Sequence, residues 1–177
     1  MKAEKIKGYH HKSDAHRTDL AGEHRIGDAV QVIFLIVFLA VWGLDSFVFK
    51  YTTFLAESVP WFIRIGAGAI ILVSAFSLAR SGLRIVFGEV RDTPEVIKKG
   101  AFSVIRHPIY LGAILLYLGM ISFTLSLASV ALWVIIIIFY WFISRYEEKL
   151  LIQMFGDEYK DYQKKTPMLF PLKLRRS

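Results

Sequence analysis

The residues best suited to chemistry in this 177-residue chain stand where a polar segment meets an apolar one. Arg106 and His107 come directly before Pro108 in VIRHPIYLGAILLYLG (residues 104–119), whose later part is apolar enough to enter a bilayer. Pro108 suits the first position of a helix, because that position needs no backbone N–H. The first amides of such a helix lack partners within it, so together with the Arg106 guanidinium they can bind a carboxylate.

A second candidate is Glu147, in FISRYEEKLLIQMFGDEYKDYQKKTPMLFPLK (residues 142–173). On a helix its neighbours three and four residues away carry no charge; they are Ile143, Ser144, Leu150 and Leu151. Glu148 has Arg145 three residues before it, which predicts a local ion pair. Glu147 therefore needs a partner from elsewhere, either Arg106, His107 or a bound cation, because an unpaired carboxylate on an apolar face is costly.

A cation, a helix N-terminus, a carboxylate and the aromatic residues Tyr110 and Tyr117 suit a small zwitterionic ligand. S-adenosylmethionine offers a carboxylate to Arg106, an ammonium to Glu147 and a sulfonium to the aromatic faces. We therefore expect Arg106 and Glu147 to act in catalysis. Taken alone, these residues are explained equally well by an Arg and a His reaching the lipid headgroups beside ordinary aromatic anchors.

The framework that must position these residues is predicted to be an all-α membrane protein. The chain is 55% hydrophobic with a mean hydropathy of +0.46, too apolar for a soluble domain of this size. Its apolar runs predict about four transmembrane helices, near residues 30–49, 61–79, 109–123 and 127–143, the last two forming a tight hairpin. Residues 1–28 are predicted to be a polar N-terminal segment and residues 29–177 the membrane domain.

The positive charge is distributed unevenly along the chain. Six Lys or Arg precede the first run, six lie between residues 80 and 106, and eight follow from residue 145. By the positive-inside rule both termini and the cofactor pocket face the cytoplasm, and the partners are membrane lipids, not nucleic acid. The chain has no cysteine, and the histidines at 10, 11, 16 and 24 lack a ligand spacing, so no metal site is expected.

Two further segments carry structural expectations. Apolar residues beside Arg84 and Arg91 predict that residues 81–108 run along the membrane surface, with a new helix starting at Thr93-Pro94-Glu95. GAGA (residues 66–69) lies inside an apolar run, which favours close helix packing over a nucleotide-binding loop.

The motifs GAFSVIRHPIYLG (residues 100–112) and YEEKLLIQMFGDEYKDYQKKTP (residues 146–167) together resemble the isoprenylcysteine carboxyl methyltransferases and the related membrane phospholipid methyltransferases. The resemblance implies an S-adenosylmethionine site formed by residues near 94–110 and 145–171, and a lipophilic substrate that enters laterally from the bilayer. Carried over by position, the implied cofactor-binding residues are Pro94, Glu95, Val96, Ile97, Phe102, His107, Pro108, Ile109, Tyr110 and Glu147.

The chain departs from the family pattern at three positions. Pro94 and Phe102 stand where the family has His and Tyr, and Ile143 stands where the eukaryotic enzymes have a substrate-contacting Arg. The cofactor site is therefore a firmer expectation than the substrate.

The expected reaction is methylation of a lipid-bearing carboxylate of the isoprenylcysteine type. A carboxylate needs no general base, and the sequence shows no base beyond the groups assigned to the cofactor. The alternatives are N-methylation of a phospholipid headgroup amine and a non-catalytic membrane protein that keeps the scaffold.

Overall fold

The computed structural model describes residues 25–88 and 94–170, with side chains from residue 29 onward. Within these residues the fold is entirely helical, without strands. The α-helices are α1 (Arg25–Gly43), α2 (Leu55–Ser58), α3 (Trp61–Gly88), α4 (Pro108–Thr124), α5 (Leu127–Phe155) and α6 (Asp157–Lys165). A π-helical segment (Leu44–Phe49) extends α1, and a 3-10 turn (Gly100–Ser103) precedes α4. Most of the predicted polar N-terminal segment, with its histidines, lies outside the described residues.

Three stretches of the described residues are long and apolar enough to cross a membrane. They are Ala29–Phe49, Trp61–Gly88 and Leu127–Phe155. Helix α4 is also apolar but has only 17 residues, at the short end of what a bilayer requires. The predicted all-helical fold is confirmed for the described residues, and three stretches could span a membrane by length and composition, while the four-span topology stays a prediction.

The stretch between the second and third apolar runs differs from expectation. Residues 81–88 continue α3 instead of forming a separate surface segment. Gly82 lets α4 lie against this part of α3, because a Cβ there would lie 2.6 Å from Ile109 Cγ1 in the first turn of α4. The helix start predicted at Pro94 is also wrong, since residues 94–98 have no regular structure. The helix start predicted at Pro108 is confirmed.

Helices α3 and α4 pack closely through glycines. A Cβ on Gly112 would stand 3.0 Å from the Ala75 carbonyl oxygen, and one on Gly68 would stand 3.1 Å from that of Gly119. Such contacts allow two helix backbones to approach in the absence of large side chains. The close packing predicted for residues 66–69 is therefore found at Gly68, while α4 acquires a fixed position on α3.

The other faces of α4 pack against α1 and α5. Phe38 of α1 lies against Tyr117, with ring centroids 4.6 Å apart. Trp133 of α5 donates from Nε1 to the Ile114 carbonyl at 2.9 Å. The core cluster also includes Leu169, which is 2% exposed and comes from the segment after α6. The chain beyond α6 thus returns to the helical bundle.

A buried polar network closes the end of the bundle where α1 finishes and α5 begins. Asp45 Oδ2 accepts hydrogen bonds from Thr52 Oγ1 and Ser126 Oγ, both at 2.5 Å, and Oδ1 accepts from the Thr52 amide at 3.1 Å. Ser126 also caps α5 by accepting from the Ser129 amide at 3.1 Å. The carboxylate is satisfied by these donors, as a structural role for Asp45 requires.

Candidate functional site

The candidate site lies at the opposite end of the bundle, where α4 begins. The amide of Arg106 donates to the Pro167 carbonyl at 2.9 Å, and the amide of His107 donates to the Met168 carbonyl at 3.1 Å. Residues 166–169, called the return segment below, therefore run beside the residues that precede α4. The burial of Leu169 in the core holds this segment in place.

The Arg106 guanidinium forms its hydrogen bonds with other groups of the protein. Its Nε donates to Glu148 Oε1 at 2.6 Å, and its Nη1 donates to the carbonyls of Gln163 (2.9 Å) and Thr166. Gln163 Nε2 completes the arrangement by donating to Glu148 Oε2 at 2.8 Å. The guanidinium thus joins α5, α6 and the return segment, which is different from the open anion-binding cation that the sequence predicted.

His107 lies between two carboxylates. Its Nδ1 is 3.5 Å from Glu147 Oε2, and its Nε2 is 3.4 Å from Glu148 Oε1. The side chains of His107, Glu147 and Glu148 are 8%, 13% and 6% exposed. An imidazole placed in this way can hold a proton on either nitrogen, or pass one from one side of the ring to the other.

Two tyrosines extend the site toward the apolar part of the bundle. The Tyr110 hydroxyl donates to Glu147 Oε1, and its ring stacks on His107 with centroids 5.6 Å apart and planes 3° from parallel. Tyr140 of α5 lies against Tyr110, with centroids 5.2 Å apart. An aromatic wall therefore leads from the carboxylates into the hydrophobic core.

The structure corrects the sequence-based account of Glu148. The expected Arg145 partner is not used, because Arg145 extends over the Trp141 ring, 5.6 Å from its centroid. The buried partner is Arg106, 42 residues earlier. Glu148 and Gln163 are thus site residues that sequence reasoning missed. The repeated carboxylate in YEEKLL is the only sequence signal that pointed to the first of them.

Arg106, His107, Tyr110, Glu147 and Glu148 form one group of contacting side chains, called the His107 cluster below. The remaining predicted residues lie around it. Pro108 and Ile109 face Gly82 of α3, and the Phe102 carbonyl accepts a hydrogen bond from Tyr162. The residues at 94–97 lie outside the helices, with Pro94 and Glu95 exposed and Val96 and Ile97 half-buried. The structure therefore brings Arg106, His107, Tyr110 and Glu147 together, while cofactor binding by residues 94–97 stays a prediction.

A surface pocket of about 310 Å³ opens beside the cluster, between the two regions predicted to bind the cofactor. It is lined by Lys98, Ser103, Asp161, Tyr162, Lys165 and Thr166. The Tyr162 hydroxyl donates to the Phe102 carbonyl and so holds this loop, and burial raises the pKa of Tyr162 to about 12. Lys98 is already paired with Glu158 at 2.7 Å.

Two buried polar atoms near the cluster have no hydrogen-bond partner in the part of the chain that the structure describes. They are His107 Nε2 and Ser144 Oγ. A buried hydroxyl without a partner costs about 1–3 kcal/mol, so such atoms need an explanation in a native protein. Carboxylates, aromatic rings and unfilled hydrogen-bonding positions together fit a small polar, cation-bearing molecule such as S-adenosylmethionine.

Comparison with known proteins identifies the family. The sequence model of the family described as phospholipid methyltransferase matches residues 62–158, more than half of the chain. The chain belongs to the phospholipid methyltransferase family. The match includes α4, all of α5 and nearly all of α3, and it also includes Arg106 and His107, whereas Gln163 lies beyond it.

A curated protein is also similar to this chain. Methanethiol S-methyltransferase from Crocosphaera subtropica (strain ATCC 51142 / BH68) is 28% identical over 140 residues, covering 75% of this chain and 51% of the relative. The chain thus spans about half the length of this relative. No solved structure matches the chain. The three long apolar helices agree with membership in a family of membrane methyltransferases.

Proposed function

We propose that the protein is an S-adenosylmethionine-dependent methyltransferase whose lipophilic acceptor enters from the bilayer. The observation that supports this function best is the position of His107 between Glu147 and Glu148. S-adenosylmethionine supplies an electrophilic methyl group on a sulfonium. Glu147, His107 and Tyr110 would hold its polar parts, and the Tyr110 and Tyr140 rings would face its cationic centre.

The same arrangement can take a proton from an acceptor. When Nδ1 of His107 carries its hydrogen toward Glu147, Nε2 has a lone pair that can act as a base on the side of the ring that faces Glu148. The Glu148 carboxylate, 3.4 Å from Nε2, would then stabilise the imidazolium. The enzyme's other contribution is to align the acceptor and exclude water, as the burial of the cluster allows.

A base at this position changes the preferred acceptor. The expectation of a carboxylate rested on the absence of a base, and His107 offers one. A thiol must lose a proton to become a good nucleophile, and the name of the curated relative describes a thiol acceptor. We therefore propose a lipophilic thiol as the first acceptor class. A carboxylate of the isoprenylcysteine type is the second, because the 100–112 and 146–167 motifs carry that resemblance.

The purified protein in lipid nanodiscs tests this proposal with methyl-labelled S-adenosylmethionine. Three acceptors are offered in parallel: hexanethiol, N-acetyl-S-farnesylcysteine and phosphatidylethanolamine. We expect label in the thioether product. Transfer to farnesylcysteine alone would replace the thiol by the second class, and transfer to the amine lipid alone would contradict both. Absence of cofactor binding at millimolar concentration, measured by calorimetry, would leave only a non-catalytic scaffold.

The role of His107 as a base has its own test. His107→Gln should lower kcat for a thiol about 100-fold or more, because the proton then has no acceptor. Binding of S-adenosylhomocysteine, measured in the same preparation, separates this loss from weaker cofactor binding. Glu158→Gln, in the exposed pair with Lys98, is the matched control and should leave kcat unchanged. An unchanged kcat in the His107 variant would exclude it as the base.

A further inference from the structure

Ser144 is the buried polar residue of α5 that neither the fold nor the proposed chemistry uses. Its side chain is fully buried, and its Oγ has no hydrogen-bond partner in the described chain. A serine inside a helix ordinarily satisfies its hydroxyl on the carbonyl four residues earlier. Ser74 and Ser122 do so here, at 2.9 Å to Ile70 and 2.8 Å to Leu118. Ser144 departs from this pattern within the same protein.

The position of Ser144 on α5 indicates what its hydroxyl faces. Residues four apart lie one above the other on a helix, so Tyr140, Ser144 and Glu148 share one face. Tyr140 contacts Tyr110, and Glu148 contacts Arg106 and His107. Ser144 therefore lies between two residues that both meet the beginning of α4, one turn deeper in the bundle than Glu148.

We propose that Ser144 is an acceptor-contacting residue whose hydroxyl hydrogen-bonds the polar head of the lipophilic substrate. The inference rests on the proposed function and assigns the membrane-side wall of the same site. A substrate that arrives from the bilayer reaches the depth of Ser144 and Tyr140 before that of His107. It therefore meets the unpaired Ser144 hydroxyl first and the His107 imidazole second, which gives it two successive hydrogen-bonding positions.

The test compares Ser144→Ala with Ser122→Ala, whose hydroxyl is satisfied within α4. Steady-state kinetics use whichever of hexanethiol, farnesylcysteine or phosphatidylethanolamine the wild-type protein methylates. Loss of one hydrogen bond should raise KM for that acceptor about five- to tenfold in the Ser144 variant. The dissociation constant for S-adenosylhomocysteine should stay within about twofold, and Ser122→Ala should change neither value.

A second readout separates binding from a structural role. Ser144→Ala removes a buried hydroxyl that has no partner, so the Tm of the ligand-free protein should rise or stay the same while KM increases. An unchanged acceptor KM, or a loss confined to cofactor binding, overturns the assignment of Ser144. Failure of the proposed function looks different, because the wild-type protein would then transfer label to none of the three acceptors, and the inference would fall with it.

Discussion

Two adjacent glutamates on α5 have different tasks at the scale of single residues. Glu148 is held by the Arg106 guanidinium at 2.6 Å and by the Gln163 amide at 2.8 Å. Glu147 accepts from Tyr110 and lies beside His107 Nδ1. Glu148 therefore balances the buried charge of Arg106, while Glu147 lies on the side of the site formed by the aromatic residues.

This difference predicts separate effects of the two isosteric amides. Glu148→Gln leaves the Arg106 guanidinium, 9% exposed, without its counter-charge, and should cost about 3 kcal/mol of folding free energy. Glu147→Gln should change stability little but weaken S-adenosylmethionine binding about tenfold, through loss of a charge-assisted contact. Thermal unfolding and calorimetric titration of both variants measure the two effects.

The control for these variants is Glu158→Gln, because its pair with Lys98 is exposed and contributes little. Equal losses of Tm in the Glu147 and Glu148 variants would show that the two carboxylates share one structural role. Equal losses of cofactor affinity with unchanged stability would show that both belong to the ligand site.

Residue-scale prediction from the sequence reached only part of this arrangement. Helical spacing placed Glu147 toward the site, because its neighbours on the same face are uncharged. The same spacing assigned Glu148 to Arg145, since a cation three residues away is the nearest partner a sequence can show. In the structure Glu148 pairs with Arg106 instead, because this ion pair is protected from solvent. Arg145 and Glu148 would have to meet at the helix surface, and Arg145 lies over the Trp141 ring.

At the scale of elements, α4 is the platform for the site. Its first residues follow His107, and its glycines fix its height and rotation on α3. A Cβ added to Gly112 would meet backbone atoms of α3, the Ala75 carbonyl oxygen at 3.0 Å and the Ala79 amide nitrogen at 3.1 Å. Backbone atoms cannot turn aside as a side chain can, so a larger residue must shift the whole helix.

Gly112→Ala should therefore lower stability by about 1–3 kcal/mol and displace the first turn of α4. We expect the Tm to fall by about 5 °C and the methyl-transfer rate to fall with it. Gly66→Ala is the matched control on α3, because a Cβ there meets nothing within 4 Å. It should keep full activity and gain slightly in helix propensity. A Tm for Gly112→Ala equal to that of the control would argue against tight α3–α4 packing.

The elements also show where sequence patterns were sufficient. Pro108 predicted the start of α4, and GAGA (residues 66–69) predicted close helix packing; α4 begins at Pro108, and the close packing is found at Gly68. The return segment gave no comparable signal, because its pairing with Arg106 and His107 uses backbone atoms, which every residue except proline offers alike. Contacts of that kind become visible only in three dimensions.

At the scale of the whole molecule, the two ends of the bundle differ in chemistry. The His107 cluster and α6 lie at one end, and the Asp45 network with α2 lies at the other. The distribution of Lys and Arg predicts that the His107 end faces the cytoplasm.

The absence of cysteine makes this orientation directly measurable. Ser58→Cys, exposed in α2, should react with a membrane-impermeant maleimide in intact cells. Lys160→Cys, exposed in α6, should react only after the cells are opened. The reverse pattern would contradict the predicted orientation, and the cysteine-free parent protein serves as the labelling control.

The Asp45 network also bears on how the chain is assembled during synthesis. Thr52, which donates two hydrogen bonds to the carboxylate, follows seven residues later and is available almost at once. Ser126 is 81 residues away, so α3 and α4 must both leave the ribosome before it can reach Asp45. Two of the three hydrogen bonds to Asp45 can therefore form early, and the third forms only when the α4–α5 turn arrives. The order of translation sets the order in which this end of the protein closes.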